Sequence, residues 1–381
     1  MNVPKLRFKE FNDEWDYKIF DELINIKSES YNPSLNKENY KCIELEHINQ
    51  NTGTINGYCN SQDQKSNKNI FKKNEVLFGK LRPYLKKYWY ATFDGVCSSE
   101  IWVGKSKNQN IVTNKFIYDL FQSHYFLQLC NLSTGSKMPR ADWSFIKEQS
   151  IAIPNILEQK KISETLELLD KKIELQSKKI EDLKLFKKGL HDKLFNEVTG
   201  NDYLLSDIAV FENGKGHENI IDENGKYILI NSKFISTEGN VTKKCSEQLT
   251  PLFKNDITMV MSDLPNGKAL AKCYYIDENN KYSLNQRICK IKVKDDSIIN
   301  SKYLFYLLNR NSYYLRFDDG VNQTNLKKDD ILSLNLVLPS IKEQERDSKT
   351  LTIIDNFIEK ENNKLSKLIL LKKGLMQSMF V

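Results

Sequence analysis

The chain has 381 residues and a mass of 44.5 kDa, with 40% hydrophobic and 11% aromatic residues against 15 Gly and 8 Pro, which excludes a disordered or fibrous protein and leaves room for two ordinary domains. A net charge of +7 and a pI near 8.7 favour an anionic partner but are mild for a protein that must grip DNA unaided. A charged N-terminus (MNVPKLRFKEFNDEW), no long apolar run, and seven cysteines without a CxxC argue against secretion, a membrane span, a disulfide framework and a zinc site, so the cytoplasm is the expected location.

Residues 1–154 mix short β-type runs (KCIEL, VLFGKL, SSEIWVG) with a helical stretch at 114–130 (NKFIYDLFQSHYFLQLC). They read as one α/β domain of a size that a single core supports. A long helix is predicted over 155–198, ending at the VTGND break. Residues 199–339 then repeat the mixture, with strands at KYILINS and RICKIKV and helix over 301–317 (SKYLFYLLNRNSYYLRF), and a second long helix is predicted over 340–381.

The two long helices are copies. Residues 153–174 (IPNILEQKKISETLELLDKKIE) fall on 338–359 (LPSIKEQERDSKTLTIIDNFIE) at an offset of 185, and LFKKGLHDKLF (185–195) falls on LLKKGLMQSMF (370–380) in the same register. Over 43 positions, 18 are identical, which marks a duplication. The offset also carries Gly135 to Gly320, Ile146 to Ile331, and IFDEL (19–23) to LLSDI (204–208).

From Ile162, steps of four and three reach Leu166, Leu169, Ile173, Gln176, Ile180, Leu183, Lys187, Leu190 and Leu194, the a and d positions of a coiled-coil seam. The second copy keeps the phase through Leu351, Ile354, Ile358, Glu361, Leu365, Leu368, Lys372, Leu375 and Met379. Each helix covers about 38 residues, or about 57 Å, and connectivity makes the pair antiparallel, returning the C-terminus to the first domain. Gln176 and Glu361 either fix the register or lie at the wet edge of a loose pair. Gly189 and Gly374, costly inside a helix, call for close approach of another backbone or for a helix end there.

Catalytic constellations are not visible. NGK (266–268) and TGSK (134–137) lack the first glycine and the loop length of a P-loop, and His47, His124, His191 and His217 have no HExxH or CxxC company. NPSL (32–35) lacks the second proline and the aromatic of an adenine methyltransferase tetrad. Paired carboxylates at Asp318 and Asp319, or Asp329 and Asp330, suit capping.

The variable halves instead interleave basic and aromatic residues. FGKLRPYLKKYWY (78–90) carries Lys80, Arg82, Tyr84, Lys86 and Lys87; SLNQRICKI (283–291) offers Asn285, Gln286 and Arg287; GVNQTNLKK (320–328) offers Asn322, Gln323 and Asn325. Cations neutralise phosphates, and Arg, Asn and Gln are the side chains that pair with base edges bidentately. The loop GSKMPR (135–140), with Lys137 and Arg140, occupies the place of GVNQTN. Two loops of different content in one repeated frame suit readers of two sequences, and solvated connectors are the alternative.

FGKLRPYL with CSSEIWV in the first half, LNQR in the second, and the twice-used block IPNILEQKKI and LPSIKEQ together resemble the specificity subunits of type I restriction-modification systems over essentially the whole chain. The second-half loop departs from the GSKMPR pattern. The resemblance implies an α/β fold with two similar target recognition domains (1–154 and 199–339) and two antiparallel coiled-coil helices (155–198 and 340–381). It implies a non-catalytic subunit of host defence that reads a split, asymmetric double-stranded DNA target. Candidate DNA contacts are the residues named above with Ser98, Ser99 and Lys268. It further implies two methyltransferase subunits docked on the helices through Leu166, Leu169, Ile173, Ile180, Leu183, Gly189, Leu190, Leu351, Ile354, Ile358, Leu365, Leu368, Gly374 and Leu375, or these residues joining helix to helix, and restriction subunits beyond them. S-adenosylmethionine, ATP and Mg belong to those partners, with no cofactor in this chain and no membrane. A coiled-coil scaffold whose α/β halves bind protein ligands, or an enzyme with an unfamiliar site, would account for the same composition.

Overall fold

A computed structural model describes residues 3–132 and 138–380. The chain forms two compact units, Met1–Lys179 with Glu361–Val381, and Ile180–Lys360, so each unit joins one α/β domain to a stretch of both long helices.

The strands of the first unit are β1 (Asp16–Ile19), β2 (Ile24–Asn25), β3 (Ser30–Tyr31), β4 (Lys41–Ile43), β5 (Cys59–Asn60), β6 (Lys68–Phe71), β7 (Val76–Gly79), β8 (Tyr88–Tyr90), β9 (Gly95–Ser98), β10 (Ile101–Ser106) and β11 (Ser150–Ile153). They build a four-stranded sheet ordered β2-β10-β7-β8, a five-stranded sheet ordered β3-β6-β9-β4-β5, and the antiparallel pair β1-β11. VLFG in β7 is apolar throughout because both of its faces are buried. Val76 and Phe78 enter the core beneath the helices, whereas Leu77 enters a second core with Ile43, Phe71, Ile101 and Val103, as alternate residues of one strand must.

Helix is present at 114–130 in two pieces, α1 (Asn114–Gln122) and α2 (His124–Leu132). Ser123 separates them: it adopts extended dihedrals and its hydroxyl accepts from the Phe126 N–H at 3.2 Å, capping the second helix. The first long helix, α3 (Ile156–Asn196), follows.

In the second unit β12 (Asn201–Leu204), β13 (Ala209–Asn213), β14 (Tyr227–Ile230), β15 (Lys244–Cys245), β16 (Ile257–Val260), β17 (Ser262–Asp263), β18 (Cys273–Tyr275), β19 (Tyr282–Leu284), β20 (Ile288–Val293), β21 (Thr324–Asn325) and β22 (Asn335–Leu338) repeat the plan. The sheet β13-β20-β16-β18 matches the first unit's four-stranded sheet, β15-β14-β19 lies on its other side, and β12-β22 matches β1-β11. Helix predicted over 301–317 also breaks. It ends as α4 (Ser301–Leu308), and Arg310, at φ 58°, turns the chain before the Asn311 side chain caps a further short turn. The second long helix is α5 (Ile341–Ser378).

Two glutamines fasten these domains to the long helices. Gln159, fully buried, donates to the Ile111 and Pro154 carbonyls (2.8 and 2.9 Å) and accepts from the N–H of Thr113, the N-cap of α1, at 3.1 Å. Gln344, its counterpart at the offset of 185, donates to the Ile298 and Pro339 carbonyls (3.0 and 2.9 Å) and accepts from the N–H of Asn300, the N-cap of α4, at 2.9 Å. This is the physical reason for the repeated Gln, whereas the preceding Glu residues are used differently, Glu158 accepting from Arg7 and Trp15 and Glu343 from Ser340.

Candidate nucleic-acid interface

In the first unit β7 stops at Gly79 because the next residues leave the sheet. Arg82 (φ 53°) and Lys86 (φ 50°) take left-handed conformations on either side of the turn Pro83–Leu85, costly dihedrals for non-glycine residues. The segment is pinned by its neighbours. Lys80 N–H donates to the Glu100 carbonyl (3.0 Å), Arg82 N–H to the Pro139 carbonyl (2.7 Å), and Ala141 N–H to the Lys80 carbonyl (2.8 Å). The Arg140 guanidinium holds the Glu100 carboxylate through two bonds of 3.0 and 3.2 Å, and Lys87 donates to the Leu45 carbonyl.

Arg140 and Lys87 are therefore committed within the fold, while the side chains of Lys80, Arg82 and Lys86 have no hydrogen bond or ion pair among the described residues. Tyr84 is exposed, Ser99 is exposed in the turn after β9, and the Ser98 hydroxyl faces the Glu100 N–H at 3.4 Å. Lys137 lies outside the described residues.

The second unit builds the same frame from other side chains. β17 pairs with β21, setting Ser262 against Asn325, and Leu326 N–H donates to the Met261 carbonyl at 2.8 Å. The Asp263 carboxylate gathers the N–H groups of Leu264, Ala269 and Leu270 (2.9, 2.7 and 3.1 Å) and so folds the loop that presents exposed Lys268. Gly267 is required there, since a Cβ would lie 2.1 Å from an Asp263 oxygen. Gln323 donates to Ser262 Oγ (2.7 Å), Asn322 to Asp319 (3.0 Å), and Gln286 to Glu218. The backbone N–H of Asn322, then its side-chain amide and the Val321 N–H, hold the Asp319 carboxyl down at about 2. Arg287, exposed at φ 65°, carries a side chain without a partner among the described residues, and Asn285 Oδ1 is buried and unbonded.

The apolar seam positions are buried or half-buried in each unit. Leu166, Leu169, Ile180, Leu351 and Ile354 are buried, and Ile173, Leu183, Leu190, Ile358, Leu365, Leu368 and Leu375 are half-buried. The polar interruptions are also buried rather than at a wet edge: Gln176 Nε2 donates to Glu361 Oε2 (2.5 Å) and to its carbonyl (3.0 Å), and Lys179 reaches Glu361 Oε1 at 2.7 Å. The bond from Lys179, and next that from Gln176, hold the Glu361 carboxyl down at about 2. In the first unit Lys372 pairs with Asp170 at 2.6 Å, and in the second Lys187 pairs with Asp355 at 2.5 Å, the same ion pair drawn from the two copies. Residue numbers rise on one helix as they fall on the other, so the stretches in each unit are antiparallel.

The end of α5 is built into the first unit's core, with Met376 and Met379 buried and Phe380 stacked on Phe116 at 5.5 Å. At Gly189 and Gly374 two expectations, a helix end and close approach of the opposite helix, are not met. Both helices run on past them, to Asn196 and Ser378, and a Cβ at either meets nothing within 4 Å. Neither a helix end nor a neighbouring backbone of the chain demands glycine there.

One buried group was not foreseen. Asp119 on α1 accepts from Ser163 Oγ of α3 at 2.5 Å, and burial pushes its carboxyl up to about 7, against the smaller lowering pull of Ser163, Lys115 and Lys372. The folded state thus retains a proton that an unfolded Asp gives up near pH 4, so this group's contribution to stability falls as pH rises from about 4 to 7. Asp119→Asn, which keeps the acceptor, should raise stability at pH 8 by ~1–3 kcal/mol, with little gain at pH 4. Urea melts of both proteins at the two pH values check this, and an equal gain at both would refute it.

Among the described residues no group of three His, Cys, Asp or Glu side chains is placed to hold a metal ion, and no helix is long and apolar enough to cross a membrane. The family described as the type I restriction modification DNA specificity domain matches residues 12–185 and again 200–369. The chain is 27% identical over 160 residues to the type I restriction enzyme EcoDI specificity subunit of Escherichia coli, covering 41% of this chain and 35% of that protein. It is 24% identical over 326 residues to the MjaVIII specificity subunit of Methanocaldococcus jannaschii, covering 74% and 76%. The chain thus spans about a third of the length of the first relative and about three-quarters of the second. Its fold is similar to the crystal structure of a type I restriction-modification S subunit from M. genitalium (TM-score 0.64, 18% identity, 100% and 99% of the chains covered). A chain from a structure of type I restriction-modification complex assembly and conformational transition is similar as well (TM-score 0.60, 16% identity, 95% and 96% covered).

Proposed function

The chain belongs to the type I restriction modification DNA specificity family, and from that premise we propose that its two domains read the two parts of a split, asymmetric DNA target. The observation that carries this reading is one frame with two contents. The same loop-on-strand pairing recurs in both units, presenting Lys80, Arg82 and Lys86 in one and Lys268 and Arg287 in the other.

The long helices serve two methyltransferase subunits as a docking surface, and restriction subunits join that core. Exposed apolar residues recur there at the offset of 185: Leu168 and Ile353, Leu185 and Leu370, Phe186 and Leu371. Exposed Gly189 and Gly374 lie beside the last two pairs, where the absence of a side chain admits a partner's backbone. S-adenosylmethionine, ATP and Mg are bound by those partners, this chain performs no catalysis, and the assembly works in the cytoplasm.

Two results test the reading. Gly189→Ala and Gly374→Ala should each stabilise the isolated chain by about 0.5–1 kcal/mol, the helix-propensity difference, yet weaken assembly with the methyltransferase subunit in a titration. Unchanged assembly would place the docking surface elsewhere. DNA affinity of the assembled complex should fall steeply with salt, because each neutralised phosphate releases counterions. Salt-insensitive behaviour would favour a protein-binding scaffold.

A further inference from the structure

The seam between α3 and α5 is almost self-complementary. Leu166 and Leu351, Ile173 and Ile358, and Leu183 and Leu368 are apolar counterparts at the offset of 185. The ion pairs are equally indifferent. If α3 met α3 of a second copy in the same antiparallel register, Lys187 would find Asp170. If α5 met α5, Lys372 would find Asp355. None of these layers distinguishes the present pairing from a pairing of like with like.

One layer does. Positions 176 and 361 are each other's counterparts, and they are also the positions that face each other, through Gln176 Nε2 and Glu361 Oε2 at 2.5 Å. Any pairing of like helices therefore sets 176 against 176 or 361 against 361. Two Gln side chains can satisfy each other. Two Glu side chains would bring carboxylates together where an amide now donates, in a layer where both residues are more than nine-tenths buried, and like charges in such a place cannot both stay ionised. Lys364, the counterpart of Lys179, could approach such a pair but could not supply the lost amide donors. Because every chain carries one helix of each kind, a penalty on α5 with α5 is enough, since α3 with α3 would leave α5 without a partner.

We infer that the Gln176–Glu361 layer makes the seam choose unlike helices, so that α3 pairs with α5 and not with its own counterpart from a second copy. A single buried polar layer is a known way to fix partner choice in a coiled coil, and a repulsive alternative is as effective as an attractive contact. This holds whatever the domains bind. With two DNA readers it also keeps one of each kind in a complex.

The test uses the whole chain carrying a protease site between Val198 and Thr199. After cleavage, the two pieces are exchanged in mild denaturant, returned to buffer and weighed by native mass spectrometry. Wild type should give pairs of unlike pieces, with pairs of second pieces below about a tenth of the statistical share. Glu361→Gln should raise those like pairs at least tenfold, and Gln176→Glu with Glu361→Gln together should restore unlike pairing. As a check on folding in the uncleaved chain, Gln176→Glu should lower Tm and the double exchange should recover it. Statistical pairing in wild type, pieces that fail to pair, or no change with Glu361→Gln would each overturn the inference.

Discussion

Replacing Gln159 with alanine should destabilise the first unit by ~3 kcal/mol, because three hydrogen bonds vanish and two carbonyls and an N–H lose a buried partner at ~1 kcal/mol or more each. Gln344→Ala should do the same to the second unit. The effect should be local. Hydrogen exchange should accelerate in α1 for Gln159→Ala and in α4 for Gln344→Ala, since each glutamine holds the N-cap of that helix. A loss below ~0.5 kcal/mol in urea melts of either variant would mean that water replaces the side chain and that the clamp is incidental.

Arg82→Ala and Arg287→Ala should each weaken specific DNA binding by the assembled complex by ~1–3 kcal/mol, the range for a guanidinium paired to a base edge. Both residues hold left-handed backbone and leave the guanidinium without a partner among the described residues, an arrangement that the fold itself does not use. Folding should survive, since both side chains are exposed and neither loses a hydrogen bond or ion pair among the described residues. Arg82→Ala should relax the sequence requirement in one half of the target and Arg287→Ala in the other, which competition assays with substituted half-sites would separate. Arg140→Ala should instead act through the loop, because its guanidinium is spent on Glu100. Equal affinity for the intended and the substituted half-site in wild type would remove these loops from base reading.

The helices were the most legible part of the sequence, because a seam of period 3.5 repeated at one offset admits few other structures. The breaks inside the domain helices were not legible. Ser123 and Arg310 sit between apolar helical stretches that read as continuous, and the first helix ends on the local Ser123 cap while the second ends where the Arg310 N–H donates to the distant Ala271 carbonyl. The strand VLFGKL was visible as an apolar run, but its end at Gly79 depends on the distant pairing with residues 139–141. At the candidate interface, residue types were readable and their freedom was not. Lys87, Arg140, Gln286 and Gln323 resemble Arg82 and Arg287 in sequence, yet they are bonded within the fold. Gln159 and Gln344 had a signal, an identical residue five places after a repeated proline, whose meaning needed the carbonyls it reaches.

On this reading one chain holds two different DNA readers. The measurement that tests this is to co-express it with a type I methyltransferase subunit and to map N6-methyladenine across the genome by single-molecule sequencing. A split, asymmetric motif with a constant gap, altered in one half by Arg82→Ala and in the other by Arg287→Ala, is the predicted result. A stable complex that methylates no new motif, or one whose motif is a single uninterrupted block, would contradict it.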